Sequence, residues 1–270
     1  MRDVSFGQYY PADSVVHRCD PRTKLLFRIV YIAAVFTAKN FYGLAACAIV
    51  FVLVAALSRV PIGSVLRSVK AIVFLLIFTA VLNLFFYSGE TILWQWKFLK
   101  FTKEGIFYTI FLSARLFLLV MGSAILTLTT TPVSLTDGIE SLLFPLKLIR
   151  FPVHELALIM SIALRFIPIL TDETGRIMNA QKARGADFES GGLIRRIKAV
   201  IPVLIPLLIS AFRRADELGD AMDARCYSGS KVRTKYKKLT FALRDLWAFL
   251  LCGALLAGVV LLRVYFSNVI

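Results

Sequence analysis

The sequence has few of the residue types from which metal centres and disulfide networks are built. It contains four cysteines and two histidines among 270 residues, and the cysteines follow no C-x-x-C or mixed Cys/His spacing. We therefore expect no metal site and no disulfide, and interpret the cysteines as small apolar core residues. His154-Glu155 lacks the H-E-x-x-H spacing of a zinc protease. These absences argue against an enzyme.

A phosphate-binding loop is also missing. No G-x-x-x-x-G-K-[ST] motif occurs anywhere in the chain, and no glycine-rich turn from a strand into a helix replaces it. We therefore expect that this chain does not hydrolyse ATP and binds no cofactor itself.

Acidic residues are scarce, with 17 Asp and Glu against 32 Lys and Arg and a net charge of +15. In a soluble protein this charge would suggest nucleic acid. Here 58% of the residues are hydrophobic and the mean hydropathy is +0.74, which is typical of a protein embedded in a bilayer. The basic residues are therefore interpreted as determinants of membrane topology, and no nucleic-acid partner is expected.

Apolar runs long enough to approach the ~30 Å hydrocarbon core predict an all-α polytopic membrane protein with about five transmembrane helices. The predicted spans are residues 24–39, 41–58, 69–87, 106–130 and 246–266. The first is the shortest and carries Arg28 near its start. The prediction divides the chain into a membrane region (1–131), a helical cytoplasmic coupling region (132–245) and a final transmembrane helix (246–270).

The distribution of Lys and Arg predicts a cytoplasmic N-terminus. Residues 132–245 hold 18 of the 32 basic residues, and an N-in topology puts 25 of them on the inside. The outer connections then carry four lysines. This bias follows the positive-inside rule.

Two stretches within the coupling region, 156–170 and 199–212, are apolar almost all round and offer an alternative as two further spans. Each is only ~15 residues long, against the ~20 that a span needs. The first contains Arg165 and Pro168, and the second contains two prolines. We prefer two long helices that begin against the membrane or a partner and run into the cytoplasm.

Local signals predict where the helices of the coupling region begin and end. Residues 129–132 end the fourth span, and Ser134 resembles an N-cap for a short helix that reaches about Leu148. Pro152 can begin the next helix. Gly185 stands where a glycine ends a helix.

One pattern occurs twice in the coupling region. Ala180-Gln181-Lys182-Ala183-Arg184-Gly185 is repeated, 41 residues later, as Ala221-Met222-Asp223-Ala224-Arg225-Cys226. Each copy follows a proline-containing apolar stretch and an acidic pair, which predicts an apolar helical stem ending in a presented arginine. The alanines keep the helix narrow, while the guanidinium carries five donors in a rigid fork. The alternative is that both arginines are ordinary last-turn residues favoured by the helix dipole.

Arg115 and Asn83 are polar residues within predicted spans and need partners there. We expect them to hydrogen-bond to neighbouring helices or to stabilise a bound partner, because no acidic residues lie at matching depth to form a proton relay. A role in a substrate pathway is the alternative.

Together these motifs resemble the transmembrane T component of energy-coupling factor transporters, which are bacterial and archaeal vitamin importers. The resemblance covers about 120–245 closely and rests on the segments 129–132, 152–157, 163–168, 180–185, 213–218 and 221–227. The first four spans fit the family's layout through weaker motifs. The resemblance implies a multi-pass protein of the bacterial cell membrane.

The resemblance also implies partners and site residues. Two ABC-type ATPase subunits, which hold the ATP and Mg, would bind the sequence signatures Ala183, Arg184 and Gly185 in one copy and Ala224 and Arg225 in the other. A small, exchangeable membrane S component would capture the substrate and dock on the apolar stems, through Leu156, Ile159, Met160, Ala163, Ile167, Leu204 and Leu208. Cys226 departs from the family's usual glycine. We therefore expect the helix that carries the second copy of the motif to continue to Ser228-Gly229 before it ends.

Two other functions compete with this interpretation. A self-contained secondary transporter with a cytoplasmic regulatory domain would need ionisable residues at the bilayer midplane or paired broken helices in two similar halves. The first 130 residues show neither feature. A structural membrane adaptor, binding another partner through the two arginines, is the third hypothesis.

Overall fold

The computed structural model describes residues 9–86, 92–96, 99–145, 151–188, 192–227 and 240–265. Helices dominate these ranges, which confirms the all-α polytopic fold. In chain order the elements are α1 (Pro21–Thr37), α2 (Phe41–Ser58), α3 (Ile62–Phe86), β1 (Ile92–Trp96), β2 (Leu99–Thr102), α4 (Lys103–Thr129), α5 (Pro132–Leu142), α6 (Val153–Ala183), α7 (Leu193–Ala224) and α8 (Leu243–Tyr265). The antiparallel hairpin of β1 and β2, between α3 and α4, was not predicted.

Four of the described helices are long and apolar enough to cross a bilayer: α2, α4, α6 and α8. Three of them agree with predicted spans. The first predicted span falls on α1, which has 17 residues, and the third falls on α3, whose apolar part is Ile72–Phe85. Helix α6 has 31 residues, as predicted for a long helix. It contains an 18-residue window apolar enough to cross a bilayer, so the argument that its apolar stretch is too short to span is wrong. Its position relative to the bilayer stays a prediction.

The chain forms two compact units. The first comprises Met1–Val153 and Leu239–Ile270, and the second comprises His154–Lys238. The second unit contains α7 and nearly all of α6. The functional division into membrane and coupling regions stays a prediction.

In the first unit, α1 is packed against α2, α4 and α8. Its buried side chains contribute to one apolar cluster with residues of those three helices, namely Tyr31, Ala34, Val35, Ala38, Leu44, Cys47, Phe111, Leu118, Leu255 and Val259. A second cluster joins α3 to α4 through Val65, Met121, Ala124 and Leu128. Cys47 and Cys252 are buried, as predicted for small core residues, whereas Cys226 is exposed.

Hydrogen bonds show which helix ends meet in this unit. The Lys24 ammonium, in the first turn of α1, donates to the Thr129 carbonyl at the end of α4 over 3.0 Å. The Asp20 backbone N–H donates to the Asp245 carboxylate at the start of α8 over 2.9 Å. The start of α1, the end of α4 and the start of α8 therefore lie together.

Helix α5 begins earlier and ends earlier than predicted. Its N-cap is Thr131, whose hydroxyl accepts the Ser134 N–H, and Pro132 occupies the first turn. The predicted N-cap at Ser134 is wrong because the preceding Thr-Pro pair already supplies the oxygen and the preset φ angle. The helix ends at Leu142 rather than near Leu148, which lies outside the described residues.

The polar residues of the spans have partners. Arg28 donates to the Leu119 carbonyl of α4 over 2.8 Å and to the Ser123 hydroxyl. Arg115 donates to the Ala38 carbonyl after α1, as predicted for a contact with a neighbouring helix. Asn83 differs, because its amide donates to the Thr79 carbonyl of its own helix over 2.8 Å.

Candidate functional site

The first Ala-Arg motif lies at the end of α6, where the chain forms a Schellman motif. The Gly185 N–H donates to the Lys182 carbonyl over 3.0 Å, and the Ala186 N–H donates to the Gln181 carbonyl over 3.0 Å. Gly185 has a φ of 86°, which is the left-handed conformation that this helix ending requires. The prediction that Gly185 ends the helix is confirmed.

The second motif ends α7 in the same way. The Cys226 N–H donates to the Asp223 carbonyl over 2.8 Å, and the Tyr227 N–H donates to the Met222 carbonyl over 3.0 Å. Cys226 has a φ of 55°. Helix α7 ends at Ala224, so the expected continuation to 228–229 is wrong, and those two residues lie outside the described ranges.

A cysteine can take this position because the hydrogen bonds offset the conformational cost. The left-handed conformation costs a residue with a side chain about 1–2 kcal/mol. Each of the two backbone hydrogen bonds contributes about 0.5–1.5 kcal/mol and satisfies a terminal carbonyl. The Cys226 side chain is exposed, which is compatible with an unobstructed left-handed turn. The two arginines therefore stand before equivalent turns.

Both helix ends expose small alanine side chains followed by one arginine. The residues concerned are all exposed: Ala180, Ala183, Arg184 and Gly185 in the first end, and Ala221, Ala224 and Arg225 in the second. Because alanine has a single methyl group, a partner's backbone can approach the helix closely. No carboxylate of the described residues forms a salt bridge with either guanidinium.

The two ends differ in the charge between their alanines. Lys182 in the first end corresponds to Asp223 in the second, and Asp223 is exposed. The first end therefore carries two basic side chains, whereas the second carries one basic and one acidic side chain. Their backbones are equivalent but their local electrostatic potentials are not.

An ion pair links the two helices within the second unit. The Arg214 Nη2 of α7 donates to the Glu173 Oε2 of α6 over 3.1 Å, and both side chains are about two-thirds buried. The residues are separated by 41 positions, the same offset that separates the two arginines. The sequence drew attention to the acidic pair at 172–173 and to the segment 213–218, but no contact between them was predicted. Their shared offset of 41 residues was the signal that could have found it.

The predicted stem residues form exposed apolar surface. Six of the seven are exposed, and Met160 is half-buried. Helix α7 carries more apolar surface than the two predicted residues, since seven further large apolar side chains are also exposed: Ile194, Ile197, Val200, Ile201, Ile205, Ile209 and Phe212. Their recurrence at three- and four-residue spacing is the amphipathic signal that could have found most of them.

This arrangement provides hydrogen-bond donors and apolar surface rather than reactive groups. Across the described ranges, no three His, Cys, Asp or Glu side chains come together as a metal site would require. Two guanidinium groups and two apolar stems are suited to hold partners through charge and burial.

The fold and the site define a multi-pass helical membrane protein that presents two arginine-ended helices. A family model described as CbiQ, cobalt transport protein, matches residues 12–236. Curated relatives carry the name energy-coupling factor transporter transmembrane protein EcfT. One from Ruminiclostridium cellulolyticum is 49% identical over 245 residues, covering 91% of each chain.

Two further relatives with that name support the same assignment. The one from Clostridium kluyveri is 47% identical over 270 residues, covering 99% of this chain and all of that protein. The one from Bacillus subtilis is 45% identical over 245 residues, covering 91% of this chain and 92% of that protein. The chain belongs to the CbiQ family of energy-coupling factor transporter transmembrane proteins.

Proposed function

We propose that this chain is the membrane scaffold of an ATP-driven importer, in which two partner ATPase subunits dock on Arg184 and Arg225. The observation that carries this proposal is the repetition of one helix-ending geometry at two exposed arginines. Two equivalent ends suit two ATPase subunits of one structural class. Family membership supports the transport role.

The chemistry of each docking contact follows from the exposed side chains. A guanidinium fits a carboxylate with two parallel hydrogen bonds, so each ATPase should present an acidic residue within a groove. The alanines allow the walls of that groove to approach the helix backbone. The ATP and Mg are held by the ATPases.

The ion pair between Glu173 and Arg214 supports a mechanical coupling role. Each residue is eleven positions before the arginine of its helix (173 to 184, 214 to 225), a distance of about 16 Å along an α-helix. We expect closure of the ATPase pair to move the two arginines, with the ion pair holding the helices together at that depth. The helices then transmit the motion to their apolar stems.

The stems are the proposed docking surface for an S component that captures a vitamin or another micronutrient. Exposed apolar side chains along α7, such as Leu204 at 56% and Leu208 at 55% exposure, form a surface of the kind that marks interaction sites. The S component would choose the substrate. The N-terminus and the arginine ends are assigned to the cytoplasm from the positive-inside distribution.

Charge reversal at the two arginines tests the proposal. We expect Arg184→Glu and Arg225→Glu each to weaken ATPase binding by about 2–5 kcal/mol, because the substitution leaves an acidic partner unpaired. The measurement is ATPase co-purification together with substrate uptake. Arg176→Glu and Arg213→Glu are matched controls, since both side chains are exposed on the same helices away from the ends.

Retention of ATPase binding and uptake in the double variant Arg184→Glu/Arg225→Glu would overturn the docking proposal.

A separate experiment replaces Leu204 and Leu208 by glutamine. We expect loss of S-component binding with ATPase binding retained. Loss of ATPase binding with S-component binding retained would mean that the stems bind the ATPases instead of the S component.

A further inference from the structure

The antiparallel hairpin of β1 and β2 connects α3 to α4 in the first unit. The proposed docking of the ATPases and of the S component does not involve it. Strand β2 lies beside α3 and leads directly into α4, whereas β1 contacts chiefly β2 among the described elements. The hairpin therefore has one strand held next to the helices and a second strand farther from them.

The strand register divides the hairpin into an apolar face and a polar face. Successive residues of a strand alternate between the two faces, and paired residues share a face. The paired positions of the apolar face are Trp94, Trp96, Leu99 and Phe101. The pair between them, Gln95 opposite Lys100, belongs to the polar face.

A register shift in β1 creates this division. The shift lies between Ile92, which pairs with Thr102, and Trp94, which pairs with Phe101. Continuation of the first pairing would have placed Trp94 opposite Lys100. The extra residue of β1 therefore brings both tryptophans of the hairpin onto the apolar face.

The apolar face needs cover from outside the hairpin. A two-stranded hairpin is at best marginally stable in water unless a further layer packs on it. Both tryptophan positions are on β1, and because β1 contacts chiefly β2, helices α3 and α4 give these positions little cover.

The hairpin lies at the level of a membrane interface. It ends at Thr102, the N-cap of α4, whose buried hydroxyl accepts the Gly105 N–H over 3.2 Å. Helix α4 has 27 residues, a length of about 40 Å, which matches the ~40–45 Å of a bilayer with its head-group regions. The far end of α4 contacts Lys24 at the start of α1. With that end at the cytoplasmic side, as the proposed topology has it, the hairpin lies among the outer head groups.

Positive charge is concentrated at the same place. The N-in topology puts four lysines outside, and three of them are Lys97, Lys100 and Lys103. Lys103 is exposed and occupies the first position of α4, where the helix dipole disfavours a cation. Phosphates of lipid head groups beside these lysines would offset that cost.

Tryptophan next to lysine is the composition by which membrane proteins contact the interface between lipid and water. We propose that the hairpin is an interfacial anchor, whose apolar face lies in the outer leaflet while Gln95 and Lys100 belong to the face toward head groups and water. The partner of this surface is the lipid bilayer. The anchor fixes the depth of α3 and α4 in the membrane.

Single-tryptophan variants of the full-length chain test the proposal, because the chain has only three tryptophans. Trp96→Phe/Trp247→Phe leaves Trp94 as a reporter on the apolar face. Trp94→Phe/Gln95→Trp/Trp96→Phe/Trp247→Phe is the matched control, since it moves the reporter by one residue to the polar face. Both variants are reconstituted in vesicles of phosphatidylcholine and phosphatidylglycerol. Brominated acyl chains quench fluorescence from the lipid side, and acrylamide quenches it from the water.

Depth-dependent quenching should place Trp94 about 5–10 Å below the phosphates, as for other interfacial segments. The reporter at position 95 should lie at or above the phosphates and be quenched more strongly by acrylamide. Equal depths of the two reporters would overturn the proposal. A Trp94 that neither quencher reaches would also overturn it, because the apolar face would then pack on the helices. Lipid quenching of Trp94 that disappears when an S component is added would assign the face to that partner instead.

Charge reversal tests the contribution of the lysines in the Trp94 reporter variant. Lys100→Glu/Lys103→Glu should lower the ratio of membrane-embedded to water-exposed Trp94 about fivefold in phosphatidylglycerol vesicles, because the anionic surface then repels the hairpin. Lys39→Glu is the control, since Lys39 is the remaining outer lysine, is exposed and lies between α1 and α2. An equal change in the two variants would overturn the assignment of the hairpin lysines to the head groups.

Discussion

Glu173 and Arg214 form an ion pair at 3.1 Å across two helices, and each stands eleven residues before the arginine that ends its helix (173 to 184, 214 to 225). The contact joins equivalent positions of the repeated sequence. The two arginine ends are therefore equally distant, along their helices, from one shared contact. With the helices joined at this contact, a movement of the two arginine ends can be transmitted along the helices to their apolar stems.

Breaking this ion pair should impair coupling more than assembly. Glu173→Arg places two cations together, and we expect lower substrate uptake per ATP hydrolysed while the ATPases remain bound. The charge-exchanged double variant Glu173→Arg/Arg214→Glu should recover most of the lost uptake, because it again pairs opposite charges at this contact. The pair itself contributes about 1 kcal/mol in a partly exposed position. Reconstituted vesicles allow uptake and ATP hydrolysis to be measured together. Full coupling in Glu173→Arg alone would refute this role.

The turn at Gly185 and the interior of α7 predict stability changes of opposite sign for two glycine substitutions. Gly185→Ala should destabilise the end of α6 by about 1 kcal/mol, because alanine is strained at a φ of 86°. Gly219→Ala is the control within α7, where an added methyl meets no atom within 4 Å and helix propensity favours alanine by about 1 kcal/mol. Hydrogen exchange at the Ala186 amide and thermal unfolding report the two effects. Destabilisation by both substitutions would contradict this account of the turn.

Replacing Cys226 by glycine should strengthen the end of α7. Glycine relieves a left-handed strain of about 1–2 kcal/mol, partly offset by its greater freedom in the unfolded chain. We expect slower hydrogen exchange at the Tyr227 amide, which donates to the Met222 carbonyl. Faster exchange there would mean that the cysteine side chain stabilises the turn.

The charge difference between the two ends predicts a preference between ATPase partners. Exchanging Lys182 and Asp223, as Lys182→Asp/Asp223→Lys, should shift the relative affinity of two non-identical ATPases by about fivefold at each end. Competition binding with the separately tagged subunits measures the shift. Asp172→Lys, an exposed charge reversal away from the ends, is the control, and an equal shift there would remove the basis for the assignment.

Close packing of α1 on α4 should make Gly122 sensitive to a single methyl group. A Cβ there would lie 2.7 Å from Tyr31 Cε1, and Tyr31 is a buried core residue with 3% exposure. We expect Gly122→Ala to cost about 1–3 kcal/mol through overpacking. Gly253→Ala on α8, where an added methyl meets nothing within 4 Å, should not destabilise the chain in the same thermal unfolding assay. A neutral Gly122→Ala would show that α1 and α4 separate readily.

Acidification should loosen the segment before α1. Burial, together with the nearby Lys24 ammonium, lowers the pKa of the His17 imidazole, while the Tyr10 carbonyl and Asp13 act in the opposite direction. The neutral ring bridges Ser14 at 2.7 Å and the Tyr10 carbonyl at 3.0 Å.

The sign follows from the lowered folded-state pKa of His17. The unfolded segment binds a proton at higher pH than the folded one, so the stability is present above the unfolded pKa and is lost as pH falls through the ordinary histidine range. The protection of the Tyr10 amide against hydrogen exchange, relative to its intrinsic rate at each pH, should fall over that window, because this amide donates to the Leu128 carbonyl. His17→Gln should remove the pH dependence, and an unchanged profile in that variant would assign it to another group.

The helices, their approximate limits and the repeated arginine motif could be predicted from the sequence because they depend on local properties. Apolar runs and propensities act over a few residues, and Gly185 ends its helix through its own conformational freedom. The error at Cys226 arose because intrinsic preference opposes the left-handed turn there, while the backbone hydrogen bonds that favour it were not weighed.

What only the tertiary structure decided are the contacts between residues distant in sequence. The ion pair between Glu173 and Arg214 and the bonds from Arg28 to α4 each require elements whose relative positions no local pattern encodes. By itself the sequence determined a polytopic helical membrane protein with two arginine-ended segments. The structure made those two ends geometrically equivalent, because backbone hydrogen bonds stabilised the same turn around a glycine and around a cysteine.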